Sequence, residues 1–267
     1  MIDYLIIKNV MKKKFLFTVS LLVCLFISGS AYNQDSKRYY YQIKIYHLKN
    51  KAQEDRVDKF LKYAYLPAMH RIGIKQVGVF KPIVQSTSDQ LIYVFTQFRK
   101  MDKFQNLNKV LENDKQYLAA GEDYLGALYT DLPYTRIESI LLEAFSSMPI
   151  PSVPHLTTPK SERFYELRSY ESGTERSSNN KIKMFDVHEV AMFKKLDFNA
   201  VFYGKVLSGS KMPNLMYMTT FLNKPDRDKH WAAFGPEYKT ISGLPEYQNN
   251  VSKNEQTYLY PTDYSDF

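Results

Sequence analysis

Cysteine is almost missing from this chain of 267 residues, and the one present, Cys24, stands close to the N-terminus. Without a second thiol there is no intrachain disulfide, and no Cys-based zinc or iron–sulfur site can be assembled. Long apolar runs are missing too. The most prominent, Phe15 to Ile27, falls well short of the roughly 20 residues a helix needs to cross a bilayer. It follows Lys12-Lys13-Lys14 and precedes the small residues Ser28, Gly29, Ser30 and Ala31, the form of a secretory signal peptide. Residues 1–31 are therefore expected to be cleaved after Ala31. The mature protein is expected in the periplasm or outside the cell, with no integral membrane segment. Met11 is the more natural start, since Asp3 ahead of the basic stretch adds nothing a signal needs. Leu22-Val23-Cys24 is a poor lipobox, because Val23 is not small and Leu25-Phe26-Ile27 continues the apolar run, so no lipid anchor is expected on Cys24.

Charge of one sign is not concentrated either. The formal net charge is +8, and removing Lys8, Lys12, Lys13, Lys14 and Asp3 with the leader leaves +5, spread among acidic residues without a basic run. A nucleic-acid partner is not expected. No Gly-rich phosphate loop, nucleophile elbow or Ser/His/Asp spacing occurs, which disfavours nucleotide chemistry. His188-Glu189 begins like a zincin helix, but Met192 stands where the second histidine would be, so no metal and no cofactor are predicted. His47, at the end of a strand, and His70, late in a helix, could share a barrel mouth. Surface histidines are the simpler reading. Glu54, Asp55 and Asp58, like Asp186 and Glu189, read as acidic residues complementing helix starts.

What is abundant is tyrosine and phenylalanine, 22 and 17 against a single tryptophan. They recur in register. At an offset of 124 residues Tyr41 falls on Tyr165, Tyr46 on Tyr170, Met69 on Phe193, Val77 on Val201, Tyr93 on Tyr217 and Asp102 on Asp226, with no gap required. Two copies of one unit follow, residues 38–148 and 162–267. Between them, 149–161 contains Pro149, Pro151, Pro154 and Pro159 and reads as a linker.

In the first copy, Tyr39 to Leu48 reads as a strand and 56–72 as an amphipathic helix ending at Gly73. Gln76 to Phe80 and Leu91 to Phe98 read as strands, Asp102 to Leu118 as a helix and Thr135 to Phe145 as a closing strand. That order, βαββαβ, is the ferredoxin-like unit, and the second copy repeats it, ending with Gln256 to Tyr260. Each sheet would be covered by helices on one face and bare on the other, so the two copies are expected to pack sheet to sheet as an intrachain α+β barrel, a pseudo-dimer. By strand alternation Ile43, Ile45, Ile92, Val94, Leu167, Met216 and Met218 are expected to face the helices. The opposite set, Lys44, Tyr46 and Tyr93 from the first copy and Glu166, Arg168, Tyr170 and Tyr217 from the second, is then expected to line the barrel as a candidate ligand-binding site. No catalytic residue is assigned.

Tyr165-Glu166-Leu167-Arg168-Ser169-Tyr170 resembles the opening strand of NIPSNAP-family domains. Tyr65-Leu66-Pro67-Ala68, Gly73-Ile74, Val77-Gly78-Val79-Phe80, the run from Met212 to Phe221, and Arg227 with Trp231 and Phe234 are similar to that family as well. The resemblance spans both copies, fits bacterial secreted members with paired domains, and implies a dimeric α+β barrel. It implies no reaction and no catalytic set. The first copy departs from the pattern, with Gln42, Lys44 and Leu107 where the second has Glu166, Arg168 and Trp231. Two functions remain open: binding or processing of a small apolar or aromatic acidic molecule in the barrel, or a non-catalytic scaffold or protein-interaction module with a collapsed barrel.

Overall fold

The computed structural model describes residues 38–267, so the expected signal peptide lies outside the described residues. The first repeat runs β1 (Tyr40–Leu48), helix α1 (51–71), β2 (Val77–Pro82), β3 (Gln90–Phe98), the short helices α2 (Met101–Gln105) and α3 (Leu107–Leu111), α4 (Lys115–Leu125) and β4 (Arg136–Ala144). The second runs β5 (Phe164–Glu171), helix α5 (175–195), β6 (Asn199–Ser208), β7 (Asn214–Phe221), α6 (Lys224–Ser242) and β8 (Lys253–Pro261). Both α1 and α5 carry a π-helical segment in the middle. In α1, Leu61–Tyr65 lies between Lys51–Phe60 and Leu66–Arg71, and in α5, Phe185–Glu189 lies between Glu175–Met184 and Val190–Lys195. Asn50 and Thr174 start these helices by accepting hydrogen bonds from the Gln53 and Ser177 amides. Both helices end on a residue with positive φ, Gly73 at 87° and its counterpart Asp197 at 53°.

The eight strands close into one barrel in the order β1-β3-β2-β8-β5-β7-β6-β4, with every neighbouring pair antiparallel. The repeats therefore do more than stack their bare faces. Their sheet edges join through β2–β8, where Phe80 sits opposite Pro261, and through β4–β6, where Leu142 sits opposite Val206.

Inside the barrel pack Tyr41, Ile43, Phe95, Tyr165, Leu167, Met216 and Met218, with Phe202 stacked on Phe95 at 5.0 Å between ring centres. Phe267 and Leu156 join this cluster, so the segment expected to be a bare linker contributes a buried core residue. The helical layers cover the outside. Tyr46, Leu48, Ile92 and Val94 pack against α1, and Tyr170, Leu215 and Tyr217 pack against α5 and α6.

This corrects the expected strand phase. Lys44, Tyr46, Glu166, Arg168, Tyr170 and Tyr217 face the helices, while Ile43, Leu167, Met216 and Met218 fill the barrel. Of the candidate residues only Tyr93 points inward, and of the expected helix-facing set only Ile92 and Val94 face helices. The physical reason is that both faces of a covered barrel are buried, so apolar alternation no longer tells inside from outside.

The ungapped repeat is corrected as well. Tyr46 pairs with Ile92 and Tyr170 with Leu215, so the first strand keeps the 124 offset while its neighbour has slipped to 123. The second repeat is one residue shorter in its β6–β7 hairpin, and the match of Tyr93 to Tyr217 is a coincidence of sequence between residues on opposite faces.

Candidate functional site

Strand β5 places Glu166, Arg168 and Tyr170 on one face at alternate positions, beneath α5 and α6. Glu166 is fully buried and saturated with donors. Its Oε1 accepts from Arg168 Nε at 2.6 Å and from Arg227 Nη2 at 3.0 Å. Its Oε2 accepts from Arg227 Nε at 2.7 Å and Trp231 Nε1 at 2.8 Å. The Arg168 guanidinium lies 3.7 Å from the centre of the Trp231 ring and donates to the Tyr170 hydroxyl at 3.3 Å. The Tyr170 and Tyr217 hydroxyls share a hydrogen bond of 2.8 Å.

From α5, Lys181 and Glu189 complete the cluster, paired with each other and both almost fully buried. Glu189 is the last residue of the π segment. Lys181 also donates to the Tyr238 hydroxyl at 3.3 Å. Burial pushes the Glu189 carboxyl above its ordinary range, against the pull of Lys181 and Arg168. Burial alone would lower Arg168, but the phenols of Tyr217 and Tyr170 and the Glu166 carboxylate hold it above its ordinary value. Tyr217 is pushed well up by burial. Arg168 and Arg227 thus share the one buried carboxylate of Glu166, Lys181 pairs with Glu189, and Arg227, which reaches toward the surface, also pairs with the exposed Asp228 at 3.0 Å.

The first repeat holds the corresponding place with different chemistry. Gln42 donates to Ser139 at 2.8 Å, and Lys44 lies over the ring of Tyr65, the counterpart of Glu189, at 5.2 Å. Val94 stands opposite Lys44 where Tyr217 stands opposite Arg168. Tyr46 packs with Tyr124 and Tyr134. The site is therefore not equivalent in the two copies. The structure brings Glu166, Arg168, Tyr170 and Tyr217 together, leaves Lys44 and Tyr46 to the other helical layer, and sends Tyr93 to the barrel mouth.

That mouth holds a cavity of about 60 Å³ beside Tyr93, Glu138, Ser169, Asn214 and Thr257. It has room for a few waters, whereas small-molecule pockets run from about 300 Å³.

Several expectations about charged residues change. Glu54 and Asp58 do not merely complement a helix start. They clamp the buried Lys81 at 2.5 and 2.6 Å. Glu189 faces the sheet. His47 and His70 are at opposite ends of the barrel: His47 bridges Asp89 at 2.9 Å and Glu138 at 3.2 Å, while His70 meets Asp266 at 2.8 Å beside the first residue of β2. Sequence reasoning missed Lys181 and Arg227. Lys181 had a usable signal, because it matches Val57, a core position of the first helix, and a lysine on a core stripe needs a buried partner.

Comparison with known proteins agrees with the geometry. The chain superposes on a provisionally assigned monooxygenase from Lactobacillus acidophilus with a TM-score of 0.52 and 14% identity, covering 84% of this chain and 94% of that one. A similarly assigned protein from Fusobacterium nucleatum gives 0.57 at 8% identity, covering 84% and 92%. An anthrone oxidase-like protein gives 0.50 at 9% identity, again covering 84% and 92%. At these identities the likeness establishes the fold. No curated protein matches the sequence. The NIPSNAP family profile matches residues 165–266, from the strand that carries Tyr165-Glu166 to the end of the second repeat. The chain therefore carries a NIPSNAP domain in its second repeat, built into a dimeric α+β barrel fold closed within one polypeptide.

Proposed function

We propose that the protein binds a small apolar or aromatic molecule bearing an acidic group, and that its site is the layer between β5, β7 and the helices of the second repeat rather than the barrel interior. The observation that carries this reading is the buried Arg168 guanidinium, which lies over the Trp231 ring and shares the carboxylate of Glu166 with a second guanidinium, that of Arg227. A buried charge is costly unless it is paired, and a guanidinium that shares its carboxylate with another can take a second anion. The rings of Tyr170, Tyr217 and Trp231 around it suit an aromatic or apolar body. No reaction is assigned.

The filled barrel favours a second reading, a scaffold in which the cluster only ties helices to sheet. Thermal shift with a panel of aromatic carboxylates separates the two. A ligand at 100 times its Kd adds about 2.7 kcal/mol. For a protein of this size that raises Tm by roughly 5–10 °C, and the shift should vanish in Arg168→Met. A panel without effect, or equal shifts in wild type and variant, supports the scaffold. We further propose that the mature chain is exported and begins at Tyr32, which intact mass of the protein recovered from its native host would read directly.

A further inference from the structure

The two repeats differ in what fills the space behind the end of their long helix. In the second, Phe198 packs against Trp231 at 5.0 Å, His230 at 5.5 Å and Phe234 at 5.9 Å. In the first, Ile74 takes the place of Phe198, and the helix after β3 is not one 19-residue rod but two five-residue turns, α2 and α3. Small side chains and a broken helix leave the space open. A groove of about 770 Å³ runs there over Ile72, Ile74, Leu107 and Val110. Its volume lies within the range that encloses small-molecule ligands, about 300–1,000 Å³.

The groove is also lined by charged side chains. Lys75, Arg99 and Lys103 border it against the single carboxylate of Asp102, and none of the three cations forms an ion pair among the described residues. An apolar floor with unpaired cations at its edge matches an amphiphile whose head is an anion. We propose that this groove binds a chain-bearing carboxylate, the aliphatic chain on Ile72, Ile74, Leu107 and Val110 and the carboxylate at Lys75, Arg99 and Lys103. The site is separate from the charged cluster of the second repeat and does not depend on it.

The test uses calorimetric titration of the mature protein with octanoate, decanoate and dodecanoate below their micellar concentrations, with decyltrimethylammonium as the cationic control. Each added methylene should tighten binding roughly fourfold while the floor has room, and the cationic chain should bind at least tenfold more weakly than decanoate. The variant carrying Lys75→Glu, Arg99→Glu and Lys103→Glu should lose carboxylate binding, Val110→Trp should weaken it by filling the floor, and Lys229→Glu, at an exposed position of the second repeat outside the groove, should leave it unchanged. Equal binding of anion and cation, no dependence on chain length, wild-type affinity in the triple variant, or loss of binding in Lys229→Glu would each overturn the assignment.

Discussion

Lys181 and Glu189 form a buried pair whose cost is visible only when one partner is removed. Lys181→Met leaves Glu189 as an uncompensated carboxylate, and such losses run about 3–5 kcal/mol. Glu189 already sits above its ordinary value near 4.5. A carboxyl raised in the folded state contributes stability below its unfolded pKa and loses it as pH rises through the folded value. The Lys181→Met deficit should therefore be full at neutral pH and shrink toward pH 4, as read by urea unfolding across that range. The double variant Lys181→Met with Glu189→Leu should recover most of the loss at every pH. Glu166 behaves differently, because it has four donors. Arg168→Met leaves it bonded to Arg227 and Trp231 and should cost little stability, whereas Glu166→Leu strands the buried Arg168, Arg227 keeping Asp228, and should cost several kcal/mol. Equal losses in those two variants would mean that Arg168, not Glu166, is the hub.

At the scale of elements, α1 and α5 show what a repeat preserves. The 124-residue offset carries through both helices down to their π segments and their positive-φ ends, and Gly73 as a helix terminator was readable from sequence alone. There the two copies diverge usefully. An Ala at Gly73 would have to hold φ near 87°, so Gly73→Ala should destabilise by about 1–2 kcal/mol. Asp197→Gly, which relieves the same strain, should stabilise slightly in chemical denaturation. Other features could not be read. Alternation in β1 and β5 reports a buried side and an exposed side only when one side is wet, and here both are dry. Glu166 and Arg168 were singled out for the right reason, their polarity in a buried strand, and set on the wrong face. The partners that explain them, Lys181 and Arg227, lie on helices whose placement depends on the closed barrel and not on local pattern. The slipped register of β7 was hidden because Tyr93 and Tyr217 happen to agree.

For the molecule as a whole, closure at β2–β8 and β4–β6 makes each repeat half of a structure. Calorimetry should show one cooperative transition with calorimetric and van't Hoff enthalpies in agreement, and residues 38–148 expressed alone should not give a folded monomer. Two separate transitions would mean that the seams contribute little. The seams also impose an order in time. During synthesis the first repeat emerges with both sheet edges, β2 and β4, unpaired and one face of its sheet uncovered, the kind of surface that recruits other chains. At about 5–20 residues per second, the hundred-odd residues that must follow take on the order of ten seconds. The β4–β6 edge can form before the β2–β8 edge, which waits for β8. Throughout that interval the nascent chain depends on a holding factor, or on staying unfolded, to reach its own second half before it meets a neighbour's.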